Sequence, residues 1–172
     1  MTLEETLAQI KPLDKNAMDV AAKRWDSIAK PLHSLGKMEK LVIQIAGITG
    51  NPDMKIQKRA LVPMCADNGV VEEGVTQTGQ EVTAIVAENF LSGDTSACVM
   101  SRQCGTKVIP VDIGMAVDTK VSKELKVAYG TANMTKGPAM TRAQAVQALE
   151  AGIEMVRRLK EEGYGLLANG EM

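Results

Sequence analysis

Residues 59–69 read "RALVPMCADNG", an apolar run that breaks off into Asp67-Asn68-Gly69. A strand with one wet face alternates apolar and polar residues. An unbroken run instead belongs to a strand covered on both faces, as in parallel sheets packed between helices. Downstream, "GQEVTAIVAENFLSG" (79–93) carries Val82, Ile85, Val86 and Phe90 at helical spacing. "TSACVMSRQCG" (95–105) reads as a further short helix closed by Gly105. "KVIPVDIG" (107–114) is the second strand, and Pro110 favours an edge or bulged position.

"TRAQ" (141–144) fits a capping box ahead of a helix whose face is lined by Val146, Leu149, Ile153, Val156 and Leu159 until Gly163. The third strand is Gly165 to Ala168, with Asn169 to Met172 as the loop beyond it. Strands alternating with helices predict an α/β fold with a doubly wound parallel sheet, Rossmann-like and partial. Upstream, Leu3, Leu7 and Ile10 mark one helix before Pro12. A second runs from Asp14 through Met18, Ala21, Ala22, Trp25 and Ile28, and a third follows Gly36 with Met38, Leu41, Val42, Ile45 and Ala46. Residues 1–50 are therefore expected to form part of a small helical domain, and residues 51–172 a truncated Rossmann-like domain.

Composition excludes several classes of function. A formal charge of −1 provides no basic field for nucleic acid, and one Trp, two Tyr and one Phe provide no stacking platform. No apolar run approaches the roughly 20 residues of a membrane span. Cys65, Cys98 and Cys104 show no CxxC spacing, and no signal peptide is evident. Free thiols in a cytoplasmic protein are the expectation. His33 is the only histidine, which argues against a His-rich zinc site, so no metal is expected.

In open parallel sheets ligands bind beyond the carboxyl ends of the strands. That edge would hold Asp67, Asp112 and Glu171, each open to a bland reading as a turn residue or cap, but together suggesting a shared cleft. The segment Gly69 to Thr83 is too long for a simple strand-to-helix connection. Its Thr76, Gln77, Thr78 and Gln80 suit a planar ligand with polar edges. Glu72 and Glu73 are expected in solvent, and Glu81 in the first turn of the next helix.

The segment "LVPMCADNGVVEEGVTQTGQEVTAIVAENFLSG" closely resembles the nicotinate-nucleotide:dimethylbenzimidazole phosphoribosyltransferase family. "KPLHSLGKMEKL" (30–41) resembles that family's Lys-Pro-Pro-Gly-Ser-Leu-Gly-Arg-Leu-Glu segment. "VDIG" (111–114), "GTANMTKGPAMT" (130–141) and "NGEM" (169–172) continue the match in order. The resemblance implies phosphoribosyl transfer from nicotinate mononucleotide to a benzimidazole-type base, without cofactor or metal, in a typically dimeric enzyme. It implies that Glu171 is catalytic near the ribose and that Met172 helps wall the base pocket. Thr78 and Val86 fall where the family lines that pocket, beside Asp67.

Two departures stand out: Asn68 replaces a histidine, and Leu32-His33 replaces Pro-Gly. The match covers about the first half of the family's length. A second glutamate, assigned in the family as the base that takes the benzimidazole proton, falls downstream with the phosphate loops. The chain is accordingly expected to be an incomplete, inactive portion. The alternative is a non-catalytic subunit or base-binding module completed by another polypeptide.

Overall fold

The computed structural model describes residues 1–172, in the order α1 (Leu3–Ala8), α2 (Lys15–Ser27), α3 (Lys37–Thr49), β1 (Lys58–Ala66), α4 (Glu81–Ser92), α5 (Ser96–Gln103), β2 (Lys107–Val108), β3 (Val111–Gly114), α6 (Arg142–Glu161) and β4 (Tyr164–Glu171). The chain forms two compact units, residues 1–7 with 56–172 and residues 8–55.

In the larger unit every strand pairs with β1, and every pair is parallel. One edge of β1 holds β2 and then β3 in one register as far as Cys65, Ala60 opposite Lys107 and Met64 opposite Val111, before a shift sets Ala66 opposite Gly114. That register sets Pro63 across from Pro110. Neither has an N–H to donate, so the predicted strand 107–114 is interrupted and splits into β2 and β3. The other edge of β1 pairs with β4 from Lys58–Tyr164 to Met64–Glu171.

Alternation along β1 feeds two cores. Ala60, Val62 and Met64 pack with Val111 and with Leu159 of α6. Cys65 on the other face packs with Ala87 and Phe90 of α4, Cys98 of α5, and Met115 and Val121. Helices therefore cover both faces, as the apolar run of β1 predicts. Burying Leu159 (1% exposed) contributes about 1.5–3 kcal/mol. The capping box opening α6 is present in full: the Gln144 N–H donates to Thr141 Oγ1 at 3.2 Å, and the Thr141 N–H to Gln144 Oε1 at 2.9 Å.

Some boundaries differ from the sequence expectation. α1 ends at Ala8, short of Ile10. The expected loop after Asn68 begins with a 3₁₀ turn, Gly69–Glu73. β4 does not stop at Ala168 but runs through Asn169 and Gly170 to Glu171. Asn-Gly favours a turn in isolation, yet here the edge of β1 satisfies its backbone, with Val62 opposite Asn169 and Pro63 opposite Gly170.

In the helical unit Asp14 caps α2, its Oδ1 accepting the Ala17 N–H at 2.9 Å, and Gly50 closes α3 in the left-handed conformation. The segment between these helices is organised by Glu39, only 4% exposed. Its Oε1 meets Lys30 Nζ at 2.8 Å and accepts the Leu35 N–H at 3.1 Å. The bond from Lys30 is the main reason its carboxyl is held below the usual range. His33 lies 3.8 Å from Glu39 Oε2 and has φ +58°, at the position where the resembling family carries glycine.

Left-handed backbone costs a residue with a Cβ about 1–2 kcal/mol, against roughly 0.5–1 kcal/mol for the extra chain freedom of glycine. His33→Gly is therefore expected to raise the urea midpoint slightly, by at most about 1 kcal/mol in stability. A lowered midpoint would mean that the His33–Glu39 contact outweighs the strain.

Candidate active site at the carboxyl ends of the strands

The connection from β1 to β2 and β3 runs through α4 and α5 on one face, and that from β3 to β4 through α6 on the other. The neighbours of β1 are thus reached in opposite directions. In such sheets the crevice opens at the switch point, here between the carboxyl ends of β1 and β4. Met172 prolongs that junction: its N–H donates to Met64 O at 3.0 Å, and its carbonyl accepts the Ala66 N–H at 2.7 Å. Glu171, exposed, stands opposite Met64 and one residue before this clasp. Its position comes from a strand rather than from the loop expected of the sequence.

Asp67 follows β1 directly and is 3% exposed. Its Oδ2 accepts the Ala116 N–H at 2.7 Å, its N–H donates to Gly114 O at 3.0 Å, and its carbonyl accepts the Thr131 N–H at 3.0 Å. The residue therefore ties the end of β1 to both loops beyond β3. Gly69 allows a close approach of backbone to backbone: a Cβ there would sit 2.5 Å from Thr131 O and 2.7 Å from Asn133 N. Glu73 Oε1 accepts from Asn133 Nδ2 at 2.6 Å and Thr135 Oγ1 at 3.1 Å, while Glu72 pairs with Lys136 at 3.0 Å. Glu72 and Glu73 are exposed, as expected, and their carboxylates also clamp the 3₁₀ turn to residues 133–136, where the buried Asn133 needs partners.

Val86 and Met172 pack against the same cluster, that of Cys65 and Phe90. Thr78 is exposed on the loop before α4; that loop is tied back by Gln80 Nε2 donating to Asn68 O at 3.3 Å. The structure thus gathers Asp67, Val86 and Met172 around the end of β1, sets Glu171 on the adjoining strand, and leaves Thr78 on the rim.

Asp112 departs from the expectation of a cleft carboxylate. It is fully buried, with Oδ1 accepting the Met115 N–H at 2.9 Å and Oδ2 3.1 Å from Lys126 Nζ. Lys126 also donates to Met115 O at 3.0 Å and Val117 O at 3.1 Å, and lies 4.0 Å over the Tyr129 ring. A charge enclosed so completely needs these partners. No periodicity marks Lys126 in the sequence, and its distance from Asp112 hides the pair. Burial, with Asp112 nearby, pushes the Cys65 thiol up to about 11, which leaves it a packing group rather than a nucleophile.

A cavity of about 650 Å³ opens on the α6 face, floored by Ala66, Ile113 and Gly114 and roofed by residues 138–148. None of Asp67, Thr78, Val86, Glu171 or Met172 lines it. No group of three or more His, Cys, Asp or Glu side chains is placed to hold a metal ion.

The profile of the phosphoribosyltransferase family matches residues 10–172. The chain belongs to this family. Among similar phosphoribosyltransferases, a Clostridium tetani protein named nicotinate-nucleotide–dimethylbenzimidazole phosphoribosyltransferase is 49% identical over 171 residues, 98% of this chain and 47% of its own. A protein of the same name from Ruminiclostridium cellulolyticum is 47% identical over 100% of this chain and 49% of its own. The solved structure of the Thermus thermophilus phosphoribosyltransferase superposes with TM-score 0.85 at 36% identity, over 93% of this chain and 49% of that one. The chain therefore spans about half the length of the phosphoribosyltransferases it matches. No helix is long and apolar enough to cross a membrane.

Lys126→Met would leave the Asp112 carboxylate buried without its counter-charge, so a loss of about 3–5 kcal/mol in urea unfolding is expected. Adding Asp112→Asn should recover part of it.

Asp118 gives a pH signature. Hydrogen bonds from Lys123 and then Tyr129 hold its carboxyl down at about 2, against an ordinary 3.8. The folded value lies below the unfolded one, so this stabilisation is complete above about pH 4 and lost as pH falls towards 2. Asp118→Asn is expected to flatten the fall in urea midpoint over that interval; an unchanged slope would contradict the assignment.

Proposed function

We propose that this chain supplies the base-side portion of a site transferring phosphoribose from nicotinate mononucleotide to dimethylbenzimidazole or a related base. The product is α-ribazole phosphate, for the lower ligand of cobalamin. The names of the relatives support the reaction class. The observation that carries the assignment to residues is the Met172 clasp on Met64 and Ala66, which brings Glu171 and Met172 to the end of β1 beside Asp67.

In this scheme a ring nitrogen of the base bonds to the anomeric carbon as the bond from that carbon to the nicotinate nitrogen breaks. Nicotinate leaves with the electron pair, configuration inverts, and a carboxylate takes the proton of the azole. Glu171 faces the positive charge that develops on the ribose, which a carboxylate fixed in place by its strand stabilises. Met172 and Val86 form the apolar wall for the flat base, and Thr78 and Asp67 border it. The carboxylate that accepts the azole proton belongs, by the family resemblance, to the segment beyond the matched half. Asn68, in place of histidine, does not titrate and so cannot relay a proton. A cytoplasmic homodimer with its helical part ending near residue 50 completes the proposal.

Titration of dimethylbenzimidazole into the 172-residue chain tests this, with binding read by fluorescence of the base. The wild type is expected to bind. Val86→Asp and Thr78→Asp should each weaken binding at least about tenfold by setting a charge against an apolar ring. Glu171→Gln should change it less than about twofold, because Glu171 acts at the ribose. Nicotinate release from the mononucleotide should be absent for this chain alone. Normal turnover, or base affinity indifferent to residues 78 and 86, would overturn the assignment.

A further inference from the structure

The residues assigned above to the crevice, Asp67, Thr78, Val86, Glu171 and Met172, do not line the cavity on the α6 face. Ala66 continues the alternation of Ala60, Val62 and Met64 onto the α6 side, whereas Val86 and Met172 pack with Cys65 on the other. At about 650 Å³ its size lies within the roughly 300–1,000 Å³ of small-molecule pockets. Its walls are almost wholly aliphatic, with Ile113, Val127, Pro138, Met140 and Ala148 among them, and no Asp or Glu lines it.

Polar groups are confined to Thr131, Thr141, Gln144 and Arg142. Three are engaged already: Thr131 Oγ1 accepts the Gly69 N–H at 3.1 Å, and Thr141 with Gln144 closes the capping box of α6. Arg142 is different. On the same helix Arg157 and Arg158 are each held by glutamates, at 2.6–2.7 Å, while Arg142 has no acidic partner. The cavity thus pairs an apolar interior with one uncompensated guanidinium, whose parallel N–H groups match a carboxylate or phosphate.

We propose that this cavity is a second binding site for a compact amphipathic anion: an apolar ring or short aliphatic body in the pocket, with a single carboxylate or phosphate on Arg142. It does not depend on the phosphoribosyl-transfer assignment. The aliphatic walls exclude a polar body such as a free sugar, whose hydroxyls would lose water without gaining partners. The lone charge discriminates against cations.

Calorimetric titration of phenyl phosphate, benzoate, benzyl alcohol and inorganic phosphate into the 172-residue chain tests the proposal. Phenyl phosphate, benzoate or both should bind at least about tenfold tighter than benzyl alcohol, and the stronger of the two identifies the headgroup. Inorganic phosphate, without the apolar body, should bind more weakly than phenyl phosphate. Arg142→Gln, at an exposed position that leaves the fold intact, should remove the advantage of the anions and leave benzyl alcohol unchanged. Ala148→Phe, filling the pocket, should abolish binding of all three aromatic probes while base binding at Val86 persists. Equal affinity for charged and neutral probes, indifference to Arg142→Gln, or no anion binding at millimolar concentration would each overturn it.

Discussion

The backbone of β1 is the constraint on which the α/β unit depends. One edge holds β2 and β3, and the other holds β4 and then Met172. Side chains of β1 alternate between the α6 core and the α4–α5 core. A single nine-residue strand therefore sets the positions of both helical layers and of every strand end. Displacing β1 by one residue would exchange the two faces and move Asp67 away from Gly114 and Thr131.

Beyond the carboxyl end of β1, polar groups take over from apolar packing. Asp67, Asp112 and Asn133 are buried, and each is bonded to a loop that crosses the strand ends. Long irregular loops carry many backbone N–H and C=O groups that lose water, and anchored carboxylates satisfy several at once. The network around Lys126 holds residues 115–129, and the Glu72–Glu73 clamp holds residues 133–136. The same loops border the crevice and the cavity, so the stability of the loops and the shape of both sites share one cause.

Much of this was legible in the sequence because local chemistry and tertiary context agree. The continuous apolar run of β1, the helical spacing of Val82 to Phe90 and the Thr141–Gln144 box each name their element without outside help. The misses share a different physics. Asn169-Gly170 favours a turn locally, and only the unpaired edge of β1 makes it a strand. Asp112 looks like a surface carboxylate until a distant partner, Lys126, is folded against it. The split of the second strand needed Pro63 as well as Pro110, although each is visible alone. Of the site, the residues around the end of β1 were readable through resemblance, whereas the cavity beside α6 draws on segments that the sequence also marked, VDIG, GTANMTKGPAMT and TRAQ, without any periodicity to show that they enclose one space.

The central claim is that Glu171 is positioned by strand pairing rather than by a loop. Amide hydrogen exchange measured residue by residue by NMR tests it directly. The Ala66 and Met172 amides, both bonded across β1 and residues 170–172, are expected to exchange slowly and together, on the timescale of the β1–β4 ladder. A Met172 amide exchanging at the rate of an unstructured chain would contradict the account and release Glu171 from the end of β1.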